Sequence, residues 1–302
     1  MPKIRVGVLR GGPSHEYETS LKSGATVLQH LPQESYEVLD IFIARDCTWH
    51  RKGIAAPAHD VLAHLDVVFN ALHGHYGEDG KVQHFLELHK IPFTGSYSFA
   101  SALGSNPAHS KAALRREGIK TPYFRVFEEV VEDELPVHFK TFSPPVVVMP
   151  VSPESTAGRM LANTPDAFRE ALIKAFENSD RVIMEEHIPG ILASVGVIDG
   201  YRDSEHYALP AVEGGSIVPG NFTPEVKAEL EDLAKRVHKV LGLRHYSKVD
   251  FVISPRRGIF VLEVSPQPEF TEDSPMAKAL HSVGAPLGHF FDHLVQLALG
   301  RK

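Results

Sequence analysis

The first hundred residues place the tightest limit on what this chain can become. Short apolar runs, IRVGVL, YEVLDIFIA and LDVVFNAL, alternate with stretches of helical character. In GGPSHEYETSLKSGATVLQHL a glycine turn feeds a helix that sets Leu21, Ala25 and Leu28 on one face. GEDGKVQHFLELHKI reads as a second helix, and PFTGS as a strand end followed by a turn. Strands that alternate with helices pair in parallel, because the helix supplies the return path across the sheet. A parallel α/β domain is therefore expected over residues 1–103.

The pattern then changes. A helix, PAHSKAALRREGI, precedes two apolar strands, PYFRVFE and PPVVVMPV. NTPDAFREALIKAFENS carries helix-start residues and aligns Phe168, Ala171, Leu172, Ala175 and Phe176 on one face. With RVIMEEHIPG as a further strand, residues 104–183 read as a small α+β domain. Residues 184–302 hold ILASVGVIDG, HYALPAV and a long helix at TPEVKAELEDLAKRVHKVLG. Two strands follow, YSKVDFVIS and GIFVLEVS, joined by the turn PRRG, and LGHFFDHLVQLAL closes a second α+β domain. There is no internal repeat and no low-complexity tract.

The 302 residues suffice for two or three domains with real cores. A net charge of −7 with both signs interspersed excludes nucleic acid as the main partner, which would need a basic face. Cys47 is the only cysteine, so one chain can build neither a disulfide nor a thiolate zinc site. No apolar run approaches the roughly 20 residues of a membrane span. The start, MPKIRVGVLRGG, enters a strand directly and lacks a leader's apolar core, so a cytoplasmic protein is expected. The 18 histidines are scattered without an HExxH or similar ligand pair, and most read as surface or core residues.

Three stretches can carry chemistry. RGGPSHE puts backbone N–H groups at a helix start, which favours an anion, with Glu16 in the first turn; a tight turn with a stabilising acid would look the same. NALHGHYGEDGKVQ places His73 just after an apolar strand, where parallel sheets bind ligands, although a histidine bonded within its own turn is the plainer alternative. Asp250 and Glu263 interrupt apolar strands expected to be neighbours. Two carboxylates so placed repel unless a cation lies between them; Mg²⁺ would serve, and so would a side chain such as Lys248 or Arg244.

Together these stretches resemble the D-alanine–D-alanine ligase family, of the ATP-grasp fold. The resemblance covers essentially the whole chain in order, through GGPSHEYETSLKSG, ALHGHYGEDGKVQ, PFTGSYSFASALGSN, LGLRHYSKVDF and LEVSPQPEFTEDS. It implies three domains, a cytoplasmic homodimer, and a cell-wall reaction joining two D-alanines for peptidoglycan. In that reaction ATP phosphorylates one carboxylate and a second amine attacks the acyl phosphate, with two Mg²⁺ ions neutralising the phosphates. By resemblance, Glu16 and His73 hold the first substrate's ammonium side, Ser155 joins that network, and Ser274 lies near the second substrate's carboxylate. Lys248 stands for a phosphoryl-stabilising arginine. Asp250, Glu263 and Ser265 occupy metal-ligand positions, and Met149, Glu185, Glu186, Ile188 and Leu192 occupy nucleotide-binding positions.

Several positions depart from the family. Met149 stands where a phosphate-binding lysine belongs, and Pro107, after Asn106, replaces a second. The loop over the phosphates reads SPESTAG, in which Pro153 lacks an N–H and Glu154 adds negative charge. Leu192 replaces the ribose-binding acid, Lys248 cannot reproduce a bidentate arginine fork, Ser265 replaces a metal-binding asparagine, and Glu269 replaces a glycine. AVEGGSIVPGNF is much shorter than the family's covering loop. The changes gather around ATP, so the expectation is a ligase-fold protein with ligation lost or very weak, binding a D-amino acid or dipeptide. The alternative is an active ligase whose phosphate contacts have moved to Arg159, Lys140 or Lys111.

Overall fold

The structure, a computed structural model, describes residues 3–130, 132–151 and 158–301. The first sheet contains β1 (Ile4–Gly11), β2 (Tyr36–Ile43), β3 (Trp49–Arg51), β4 (Ile54–Ala55) and β5 (Val67–Asn70), in the order β4-β3-β2-β1-β5. β1 lies between β2 and β5 and pairs in parallel with both, with Val8 opposite Asp40 on one side and Phe69 on the other. The expected parallel sheet is therefore present, but with an antiparallel edge: β2, β3 and β4 pair antiparallel. Lys52 and Gly53, both at positive φ, reverse the chain between β3 and β4 in two residues. PFTGS contributes only an isolated bridge from Phe93 to Val68. Helices α1 (Tyr17–His30), α2 (Ala58–Leu62), α3 (Lys81–Leu88) and α4 (Ser98–Ser105) accompany this sheet.

α5 (Pro107–Arg116) leads into the second sheet, built from β6 (Phe124–Phe127), β7 (Val146–Pro150), β8 (Met160–Ala162) and β9 (Val182–Glu186) in the order β6-β9-β7-β8. All its pairings are antiparallel. α6 (Leu135–Thr141) and α7 (Pro165–Phe176) cover it, and Phe168, Ala171, Leu172 and Ala175 of α7 are buried against Val146, Val148 and Met184. The start of α7 forms as its sequence predicts, with Thr164 Oγ1 accepting the Ala167 N–H at 3.2 Å.

The third sheet holds β10 (Ile191–Tyr201), β11 (Ser204–Ala208), β12 (Val212–Glu213), β13 (Tyr246–Ser254) and β14 (Gly258–Ser265), in the order β11-β10-β13-β14 with β12 beside β10. α8 (Pro224–Val240) packs on it, burying Leu230, Ala234 and Val237 against Val195, Val249 and Val261. Leu114 of α5 is buried in the same cluster. α9 (Pro275–Ser282) and α10 (Leu287–Ala298) complete the chain and join the first and third sheets through one apolar core that includes Val8, Phe69, Ile198, Tyr246, Phe270 and Phe291. A polar tie crosses the same boundary: Gln267 donates to the Asn70 carbonyl at 2.6 Å and accepts from the Tyr246 hydroxyl at 2.9 Å. Among the described residues, no helix is long and apolar enough to cross a membrane.

Candidate active site

The first and third sheets, with the turn between α4 and α5, border a cavity of about 530 Å³. One wall comes from the first sheet. Gly11 takes φ +93°, and a Cβ there would sit 2.3 Å from the Ile43 carbonyl oxygen, so only glycine allows the chain to turn into α1. That turn presents Glu16 at the start of α1, its N–H donating to Ser14 Oγ at 2.8 Å, with its side chain on the cavity wall.

His73 follows β5 and is 1% exposed. Its Nδ1 lies 3.2 Å from Glu78 Oε1 and its Nε2 2.8 Å from Ser23 Oγ. Burial alone would push the imidazolium down, but the hydrogen bond and charge of Glu78, with Glu16 and Glu269 farther off, outweigh it and raise His73 above its ordinary value. Glu78 also accepts the Gly74 N–H at 3.1 Å. Glu78 has no sequence signature of its own beyond lying five residues after His73 in a glycine-rich turn. Ser23 was missed because it lies on the buried face of α1, among residues that read as packing.

The opposite wall comes from the third sheet. Asp250 and Glu263 face each other across β13 and β14, as the strand reading expected. Asp250 accepts from Ser194 Oγ at 2.6 Å and from Lys248 Nζ at 2.5 Å. Burial opposes the charge on Lys248, yet Asp250, Glu263 and Glu269 together hold the ammonium above its usual value. Glu263 Oε2 lies 3.5 Å from the Arg159 guanidinium. Ser265 pairs with Lys248 across the strands and also lines the cavity. Ser274 heads α9, its Oγ accepting the Ala277 N–H at 3.2 Å while the residue stays on the wall. Arg244 does not approach Asp250; it donates to the Gly95 and Phe93 carbonyls instead.

The nucleotide positions are arranged differently. Met149 is 0% exposed and packs with Ala108, Val151 and Ile183. Glu185 is buried and lies 2.7 Å from Lys111 Nζ, which also donates to the Leu262 carbonyl at 2.6 Å. Glu186 is clasped by Arg257 through bonds of 2.7 and 3.1 Å, which hold its carboxyl below the usual range against the effect of burial. Ile188 packs on Val252 and Phe260, while Leu192 is 54% exposed on β10. Asn106 and Pro107 begin α5: Asn106 Oδ1 accepts the Ala108 and His109 N–H groups at 3.1 and 3.0 Å, and Pro107 occupies the first helical position. Ser155, with Pro153 and Glu154, lies outside the described residues.

The donor set fits a hard divalent cation in part. Asp250 and Glu263 are the oxygen ligands that would hold Mg²⁺, whose role would be to neutralise phosphate charge. A triphosphate fits less well. Glu16, Glu78, Asp250, Glu263 and Glu269 line the cavity with Lys248 as the one lysine or arginine in its described lining, and neither Pro107 on its wall nor the buried Met149 adds a positive charge.

Comparison with known proteins places the chain as a whole. Family models described as D-ala D-ala ligase N-terminus and D-ala D-ala ligase C-terminus match residues 5–61 with 52–96, and residues 114–296. A D-alanine–D-alanine ligase of Syntrophotalea carbinolica is 33% identical over 310 residues, spanning 98% of this chain and 95% of that relative. The D-alanine–D-alanine ligase structure from Coxiella burnetii has a TM-score of 0.88 at 24% identity, covering 99% of this chain and 95% of that one. The Bacillus anthracis ligase, solved in complex with ATP, has a TM-score of 0.83 at 26% identity, covering 98% and 97%.

Proposed function

The chain belongs to the D-alanine–D-alanine ligase family, and from that premise we propose that it keeps the family's amino-acid pocket while its hold on nucleotide phosphate is largely lost. In this reading it binds a D-amino acid or short D-peptide, with Mg²⁺- and ATP-dependent ligation for the cell wall absent or very weak. The observation that carries it is Met149, wholly buried in an apolar cluster at the strand end where a phosphate-binding cation is expected. Lys111 gives no substitute, because it is spent on Glu185 and the Leu262 carbonyl.

Glu16 and the Glu78-held His73 supply the pocket's polar end. A carboxylate there suits an ammonium group. Each missing phosphate contact costs about 1.5–3 kcal/mol, so two or three together lower ATP affinity by several powers of ten. The family resemblance extends to a cytoplasmic homodimer formed through residues 1–103.

A second reading, active ligation with a relocated phosphate contact, is favoured by Arg159, whose guanidinium reaches the Glu263 side of the cavity. Calorimetry of the full chain separates the two. Heat with D-alanine or D-alanyl-D-alanine and none with Mg²⁺–ATP is the expected result. Micromolar Mg²⁺–ATP binding together with D-alanyl-D-alanine formation would overturn the proposal.

A further inference from the structure

Away from this cavity, Asp199, His206 and His238 come together from three elements, with one ligand atom from each lying within 4.8 Å of the others. Asp199 on β10 and His206 on β11 are register partners, so their side chains leave the same face of the hairpin. His238 reaches that face from α8. His206 Nδ1 is 2.8 Å and His238 Nε2 is 3.1 Å from the same oxygen, Asp199 Oδ1.

His238 is 0% exposed, and its Nε2, although 3.1 Å from Asp199 Oδ1, makes no hydrogen bond of good geometry. The other ring nitrogen, Nδ1, is 2.8 Å from Ser247 Oγ. If Nδ1–H donates to Ser247, Nε2 turns a lone pair towards a carboxylate oxygen. Two acceptors that close repel unless a cation lies between them.

We propose that Asp199, His206 and His238 form a binding site for a divalent transition-metal ion of the zinc type. Zinc bonds of about 2.0–2.1 Å set neighbouring ligand atoms of a tetrahedron roughly 3.3 Å apart, so the observed 2.8 and 3.1 Å would open by about half an ångström or less when the ion enters. The ligands are already oriented: the His245 N–H donates to Asp199 Oδ2 at 2.6 Å and leaves Oδ1 facing the imidazoles, while Ser247 fixes the His238 ring. The His206 and Asp199 side chains are 24% and 20% exposed, so water can fill the fourth position. The bound ion would tie the β10–β11 hairpin to α8 and stabilise the fold by mass action. It plays no part in the cavity chemistry.

The test strips the full-length protein of metal with a chelator and titrates it with Zn²⁺ by calorimetry, then with Co²⁺ by visible absorption. The expected result is one tight zinc per chain, ligand-field bands with cobalt, and no thiolate charge-transfer band. His206→Ala, on the partly exposed hairpin, should weaken that equivalent by more than roughly 100-fold. Asp199→Asn, which keeps an acceptor for the His245 N–H, should also weaken it. Glu16→Gln, in the cavity, should leave it unchanged, so zinc at the cavity carboxylates is told apart. No tight zinc in the native protein, or binding unaltered by His206→Ala, would overturn the proposal and leave a purely hydrogen-bonded cluster.

Discussion

At Met149 the surroundings are wholly apolar, so a lysine restored there would have to bury its ammonium or bend out towards the cavity. Met149→Lys is expected to lower stability by about 2–4 kcal/mol, read as a drop in the urea midpoint, without bringing ATP affinity to the family's level. His73 titrates with folding. Its folded-state value is raised above the unfolded one, about 6.5, so its contribution is complete below that pH and is lost as pH rises through the folded value. The urea midpoint of the native protein should therefore fall as pH rises above about 6.5, and His73→Gln should flatten that fall. Much of this scale was legible in the sequence. Asp250 and Glu263 stood out because charges rarely interrupt an apolar strand, and the structure sets them opposite each other. The Lys111–Glu185 pair and the Asp199, His206 and His238 cluster were not legible, because each draws its members from elements with no fixed sequence spacing.

Among the elements, α5 shows how one substitution can have two meanings. By the family resemblance, Asn106–Pro107 stands where a phosphate lysine is expected. Read as local structure, it is a well-formed helix start, with two N–H groups satisfied by one side chain and proline where no N–H is needed. Asn106→Ala should cost about 1 kcal/mol, visible as a lower melting temperature, with little change in D-amino acid binding if the cap is only structural. Strands β1, β2 and β5 and helices α1 and α3 were legible from period alone, whereas the short α2 and α4 were not. Nor was the β3–β4 edge of the first sheet, because a three-residue and a two-residue strand carry too little pattern to register. The same applies to β9: its apolar run was read as a strand, but its membership of the second sheet through Glu186 depends on pairing with β6 and β7.

For the molecule as a whole, the strand–helix alternation predicted the class, and the match to solved ligases bears it out at TM-scores of 0.83 to 0.88. What the pattern could not convey was the joining of sheets: Phe69, Tyr246, Phe270 and Phe291 form one core from segments far apart in the chain. The cavity where those sheets meet is lined with acids, yet two of them already have cations beside them, Lys248 at Asp250 and Arg159 at Glu263. An incoming divalent ion would therefore enter by exchange rather than by simple addition. Its affinity should respond less to ionic strength than the lining acids alone would dictate, because those two cations offset part of the field it meets. Removing one resident counter-ion with Arg159→Ala should make Mg²⁺ binding both tighter in dilute buffer and steeply weaker with added salt, a change of slope that titrations at several salt concentrations would read directly.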